Sequence, residues 1–151
     1  MGDNVAVKMA SLTYPDMRCL AEHAANRFTD RAFFLCADEK LPSVTGAELY
    51  GYCRKAAAAL GEFTAEQHIA LLGPSNAAWL AAYFAVLSAG RVIVPLHDGM
   101  QLQELEDCLR LADSGLLLYD ERRGETAALL AQAIPGLALL ELHEFVERLR
   151  E

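Results

Sequence analysis

Apolar positions along the chain fall into short continuous runs and helical stripes, and the clearest alternation of the two lies between residues 69 and 98. An apolar run of strand length, Ile69 to Leu72, breaks at Gly73-Pro74 and gives way to helix formers. These stop at Gly90, and the β-branched run Val92-Ile93-Val94 follows before Pro95. Two strands joined by one crossover helix must run parallel, and the right-handed crossover lays that helix over one face of the sheet. Neither strand alternates with polar residues, which predicts a sheet buried on both sides.

The flanking patterns extend this unit in both directions. Residues 1–13 show no period and read as frayed or tag-adjacent, so the ordered α/β domain is expected over 14–151. After an N-cap at Pro15-Asp16, Met17, Leu20, Ala24 and Phe28 recur at helical spacing. Ala32 to Ala37 reads as a strand, Asp38-Glu39-Lys40 as a turn and Ser43-Val44-Thr45 as a short return, either a β-hairpin or a fifth strand of the main sheet. Thr45-Gly46-Ala47-Glu48 has the spacing of a capping box and opens a helix carrying Leu49, Cys53, Ala56, Ala57 and Leu60 on one face up to Gly61. Downstream, a helix over Gln101 to Asp113, a strand over Leu116 to Tyr119, a helix over Glu125 to Ala133, a strand over Leu137 to Leu140 and a helix over His143 to Arg150 complete the alternation. The predicted fold is α/β in three layers, a mostly parallel sheet of about four strands with helices on both faces.

Composition narrows the function classes. A formal charge of -8, with 13 Lys+Arg and no basic cluster, is unsuited to a phosphate backbone, so no nucleic-acid partner is expected. The apolar run from Ala77 to Leu87 is about half of what spans a bilayer, and no apolar leader opens the chain, so a cytoplasmic protein without a membrane span is expected. Cys19, Cys36, Cys53 and Cys108 lie far apart within apolar patterns and read as reduced core thiols.

Two stretches resemble a known family. Leu87-Ser88-Ala89-Gly90-Arg91-Val92-Ile93-Val94-Pro95-Leu96 is similar to the second core motif of the adenylate-forming (AMP-binding) superfamily, Leu-Lys-Ala-Gly-x-(small)-x-Val-Pro-(Leu/Ile)-(Asp/Asn). Val44-Thr45-Gly46-Ala47-Glu48-Leu49 resembles the first, with Gly46 in place of the aromatic residue. The run from His68 to Tyr119 looks most like bacterial long-chain fatty-acid–CoA ligases. The resemblance covers about residues 17 to 150, only the first third of such an enzyme.

It implies a parent reaction in which ATP, with Mg²⁺, activates a fatty acid to an acyl-adenylate that CoA converts to the thioester. The family's Pro-Lys-Gly phosphate loop and its later motifs are not in this sequence. No catalytic, cofactor-binding or metal residue is therefore assigned, and ATP, Mg²⁺ and CoA belong to the parent enzyme. The motif positions Leu87, Ala89, Gly90, Val94 and Pro95 carry structural roles: Gly90 ends the helix and Pro95 closes the strand. The chain reads as a fragment, inactive alone, whose partners are the downstream subdomains. A stand-alone interaction module, or a homodimer through the uncovered face, is the second reading.

The residues themselves offer other chemistries. No two glycines are spaced Gly-x-Gly and no Lys follows Gly, so dinucleotide and Walker loops are absent. Gly73-Pro74-Ser75-Asn76-Ala77 sits where a nucleophile elbow would, which allows a small serine hydrolase in which Asp98, Asp113 or Asp120 orients His143 against Ser75. The blander reading makes Ser75 or Asn76 a helix cap. His97-Asp98 at a strand's carboxyl end, and Glu141, His143 and Glu144, are weak metal candidates whose ligand spacing is incomplete. Trp79, Tyr83, Val86 and Leu87 share one stripe, read as core packing in preference to an acyl tunnel.

Overall fold

In the computed structural model, which describes residues 14–34 and 43–151, the apolar runs become strands of one parallel sheet and the stripes become the helices that cover it. The order of elements is α1 (Met17–Phe28), β1 (Ala32–Phe34), β2 (Val44–Thr45), α2 (Gly46–Gly61), β3 (His68–Leu72), α3 (Ala77–Ser88), β4 (Val92–Leu96), α4 (Leu102–Leu111), β5 (Ser114–Tyr119), α5 (Gly124–Ala133), β6 (Ala138–Glu141) and α6 (Leu142–Arg150). A single 3-10 turn, Glu121–Arg123, precedes α5. The main sheet runs β4-β3-β5-β6, all parallel. β1 and β2 pair antiparallel in a separate two-stranded sheet, so the N-terminal pair is a hairpin and adds no fifth strand. The turn at Asp38-Glu39-Lys40, the strand's last residues 35–37 with Cys36, and the N-terminal segment 1–13 lie outside the described residues.

Strand geometry distributes the apolar residues to both faces. Ile69 and Leu71 of β3, with Leu116 and Leu118 of β5, enter one core under α2, α3 and α6, where Leu49, Leu60, Ala82, Val86 and Phe145 are buried. Their neighbours Ala70, Leu72 and Leu117 enter the second core under α4 and α5, with Leu105, Leu109, Ala127 and Leu130. Alternate residues of a strand point to opposite faces, so an unbroken apolar run is what a strand needs when both faces are covered. Each fully buried leucine contributes about 1.5–3 kcal/mol relative to an exposed one. α1 lies outside α2 and α3, tied to the end of α3 by the Arg18 guanidinium, which donates to the Ser88 carbonyl at 3.0 Å.

Local signals explain the boundaries. Asp16 caps α1 by accepting the Cys19 N–H at 2.8 Å. Thr45 and Glu48 form the reciprocal capping box of α2, with the Thr45 N–H on Glu48 at 2.8 Å and the Glu48 N–H on Thr45 Oγ1 at 3.2 Å. α3 ends in a Schellman motif: Gly90 has φ 74°, its N–H reaches the Leu87 carbonyl at 3.0 Å, and the Arg91 N–H reaches that of Val86 at 3.3 Å. The Arg91 guanidinium donates to the Ala65 carbonyl at 2.8 Å, and Gln67 donates to that of Gly90 at 2.6 Å, clamping the two loops at the sheet's amino end.

Three expectations change. β4 is an edge strand with Val92 43% exposed, so the sheet is buried on both sides at β3 and β5 but not there. Its ladder also continues through Pro95 to Leu96, and an edge tolerates a residue without an N–H. Of the cysteines, Cys53 lies in the core and burial pushes its thiol up, whereas Cys19 and Cys108 are half-buried; all three are free.

Candidate functional site

The candidate site lies at the carboxyl end of the main sheet. From β3 the chain crosses to β4 on one side and later enters β5 on the other, so the loops after β3 and β5 diverge at the sheet's carboxyl end. That is where open α/β sheets leave a crevice for ligands. At the same end of the sheet, between the turns after β3 and β4, lies a groove of about 490 Å³, walled by Pro74, Trp79, Pro95 and Leu96 with Ser75, His97 and Asp98 as its polar residues.

The first wall is the turn from β3 into α3. Gly73 leaves the strand with φ 158°, and Asn76 then caps the helix by accepting the Trp79 N–H at 2.9 Å. Of the two cap candidates Asn76 is therefore the one used, and Ser75 stays exposed. Trp79 is half-buried with its ring stacked on Tyr83 at 5.4 Å. Within the aromatic stripe only Val86 is fully buried; Tyr83 and Leu87 are half-covered.

The second wall is the turn after β4. The Gly99 N–H donates to His97 Nδ1 at 3.0 Å, which places the proton of the neutral imidazole on Nε2. Asp98 Oδ1 and Trp79 Nε1 are both buried without a hydrogen-bond partner. Behind them, the loop after β5 is fastened to β3 by the Asp120 N–H on the Leu72 carbonyl at 2.9 Å. Asp120 also accepts the Arg122 N–H at 3.2 Å and Nε at 2.7 Å. That hydrogen bond holds the Arg122 guanidinium still further up, with the charges of Asp120 and Asp98 adding to it. Arg123 donates to the Met100 carbonyl at 3.0 Å and so joins the two loops.

Sequence position alone marked Gly73 to Asn76 and His97-Asp98, and the structure brings these together. Arg122 and Arg123 went unmarked; a cap residue followed by two arginines directly after a strand was the available signal. The hydrolase constellation does not assemble. Asp113 sits before β5, at the opposite end of the sheet from Ser75. The His143 imidazole stands 4.0 Å from Glu147 of its own helix, and among the described residues no hydrogen bond links Ser75 to a histidine or aspartate. Ser75 has no positive φ, so the strained turn of an elbow is absent. Glu141 serves as the N-cap of α6, accepting from His143 and Glu144 at 2.9 and 3.0 Å. Among the described residues no three His, Cys, Asp or Glu side chains group as metal ligands, and no helix is long and apolar enough to cross a membrane.

Comparisons with known proteins add the family. The sequence pattern of the family described as AMP-binding enzyme matches residues 20–148. No curated protein matches the sequence. Among solved structures, the anthranilate CoA ligase AuaEII in complex with anthranoyl-AMP is similar at 14% identity and a TM-score of 0.78, over 89% of this chain and 27% of that one. The N-terminal domain of FACL13 from Mycobacterium tuberculosis is similar at 18% identity and a TM-score of 0.76, over 91% of this chain and 36% of that one. A Mycobacterium tuberculosis fatty acyl CoA synthetase is similar at 17% identity and a TM-score of 0.71, over 90% and 28%. At these identities the likeness is one of fold, and the chain spans about a quarter to a third of the length of these structures.

Proposed function

Because the chain belongs to the AMP-binding enzyme family, we propose that it is the N-terminal scaffold of an ATP-dependent acyl-CoA synthetase acting on a fatty acid, and that it is inactive by itself. The parent reaction joins the carboxylate to the α-phosphate of ATP, releasing pyrophosphate, and then transfers the acyl group from AMP to the thiol of CoA. The observation that carries this reading is a match over nearly the whole chain that covers only 27% of a structure holding an acyl-adenylate. The residues present do not suit a triphosphate. None of the loops 73–76, 97–101 and 120–124 carries a lysine, Arg122 and Arg123 there are engaged by Asp120 and the Met100 carbonyl, and Asp98 and Asp120 would face phosphate oxygens. What these residues do is hold shape: Gly90 turns the chain from α3 into β4, and the 73–76, 97–101 and 120–124 loops fix one wall of a crevice.

The outer side of α3 supports the same reading. The helix has no charged residue, and Trp79, Tyr83, Phe84 and Leu87 are left half-covered. A helix apolar all round belongs inside a larger structure, which the rest of a ligase would supply. We take the setting to be cytoplasmic, in keeping with the free thiols.

Isothermal titration with ATP-Mg²⁺, CoA and a long-chain fatty acid in turn tests the proposal. No heat of binding for any of them at millimolar ligand is the expected result. Saturable ATP binding, or ATP–pyrophosphate exchange by the chain alone, would overturn it.

A further inference from the structure

The outer edge of β4 is open, and the residue that most limits what can pair with it is Pro95. β4 neighbours β3 alone, so among the described residues one side of its backbone has no strand partner. The register fixes which groups face that side. Val92 is aligned with His68, and its N–H donates to the Gln67 carbonyl at 2.9 Å, so Val92 turns its N–H and C=O toward β3. Successive residues of an extended chain direct these groups to opposite sides. Val94 and Leu96 therefore also face β3, while Ile93 and Pro95 face outward. Proline has no N–H. Within the strand Ile93 is thus the sole outward donor, beside the outward carbonyls of Ile93 and Pro95.

Nothing else on this edge resists a second strand. Val92-Ile93-Val94 is β-branched and uncharged, the composition of segments that stack into sheets. Val92 and Pro95 are both exposed. The usual alternative, a charged side chain on the edge, is missing from every position of the strand. Arg91 just before it is engaged within the chain, its guanidinium on the Ala65 carbonyl and its N–H on that of Val86.

We propose that Pro95 keeps the edge of β4 from pairing with the β4 of a second copy of this chain. In such a pair, antiparallel about a twofold axis at Val94, Ile93 of each copy lies opposite Pro95 of the other. The Ile93 N–H finds the Pro95 carbonyl, but the Ile93 carbonyl meets a pyrrolidine ring in place of a donor. Each copy then leaves an acceptor unsatisfied, and the ring holds the strands wider than the ladder spacing of about 4.8 Å. Pro95 thus does more than sit where no ladder bond is lost: it removes the bond that self-pairing needs. Whether ATP, CoA or a fatty acid binds has no bearing on this edge.

Pro95→Thr restores the donor at an exposed strand position that suits a β-branched residue. Sedimentation velocity from about 10 µM to about 500 µM compares this variant with the parent. The pair gains one hydrogen bond from each copy; at roughly fivefold each, self-association should tighten about 25-fold over the parent's. Adding Ile93→Pro to Pro95→Thr moves the missing donor to the other outward position without removing a bond to β3, and should return the parent's mass. Hydrogen exchange needs no variant: in the dilute parent the Ile93 amide should exchange fast while those of Val94 and Leu96 are protected. Self-association of Pro95→Thr no tighter than the parent's overturns the proposal. So does a folded double variant that stays associated, or an Ile93 amide as protected as that of Val94.

Discussion

Gly73→Ala offers the sharpest test of how the turn after β3 is held against the loop after β5. A Cβ at position 73 would lie 2.8 Å from Asp120 Cβ and 3.6 Å from the Asp120 nitrogen. Carbon atoms settle about 3.5–4.0 Å apart, so roughly 0.7 Å of movement is demanded. Asp120 is badly placed to move, because its N–H is held by the Leu72 carbonyl and its carboxylate by Arg122. Overpacking of this kind costs about 1–3 kcal/mol. The backbone at φ 158° adds about 1–3 kcal/mol for a residue with a side chain. We expect a loss of about 3 kcal/mol, equivalent to a fall in Tm of roughly 6–12 °C for a chain of this size.

The two contributions separate in a double-mutant cycle with Asp120→Gly. Removing the Asp120 side chain relieves the collision but leaves the backbone conformation unchanged. Gly73→Ala should therefore cost about 1–3 kcal/mol less in the Asp120→Gly background, the coupling expected of residues in contact. Urea unfolding followed by the emission of Trp79 measures all four variants. If Gly73→Ala changes stability by less than about 0.5 kcal/mol, or costs the same in both backgrounds, the close approach of the two loops does not constrain the fold as argued.

Gly90→Ala isolates the backbone alone, since nothing lies within 4 Å of the added carbon; at φ 74° it should lose about 1–2 kcal/mol, and an unchanged urea midpoint contradicts the Schellman turn. Tyr52 is buried, its hydroxyl accepts Arg150 Nε at 3.0 Å, and burial pushes its phenol up from the ordinary value of 10.0. Its contribution is complete below that unfolded value and is lost as pH rises through the raised folded one. Tyr52→Phe should thus cost about 1 kcal/mol at neutral pH and flatten the alkaline limb of a stability profile, whereas a profile identical to the parent's refutes this. Asp16 behaves oppositely: the Cys19 backbone N–H holds its carboxyl below the ordinary 3.8, so its contribution is present above that value and lost as pH falls through the depressed one. Asp16→Asn keeps an acceptor without the charge and should flatten the acid limb; parallel profiles from about pH 6 to about pH 2 would show that the charge contributes nothing.

What the sequence disclosed and what it withheld divide along one physical line. β3, α3 and the capping box at Thr45 are written locally: an apolar run, a run of helix formers between Gly73 and Gly90, and a hydroxyl three residues before Glu48 each fix their own geometry. β5 began two residues earlier than its leucines suggested, because Ser114-Gly115 looks like a turn until Glu66 is laid across it. No Cβ fits at Gly115 beneath the Glu66 stem, so glycine there answers to a residue far away in sequence. The exposure of β4 follows the same logic. Val92-Ile93-Val94 is as apolar as Ile69-Ala70-Leu71, and only the strand order decides which run has a neighbour on both sides. The groove was half legible for this reason. Its 73–76 and 97–98 turns are marked by strand ends, but Arg123 looks like solvent-facing charge until the strand order brings its loop to the one after β4, where it donates to the Met100 carbonyl. A local pattern thus locates where a ligand can sit, while the groups that set the charge of that place arrive from strands whose positions the pattern does not contain.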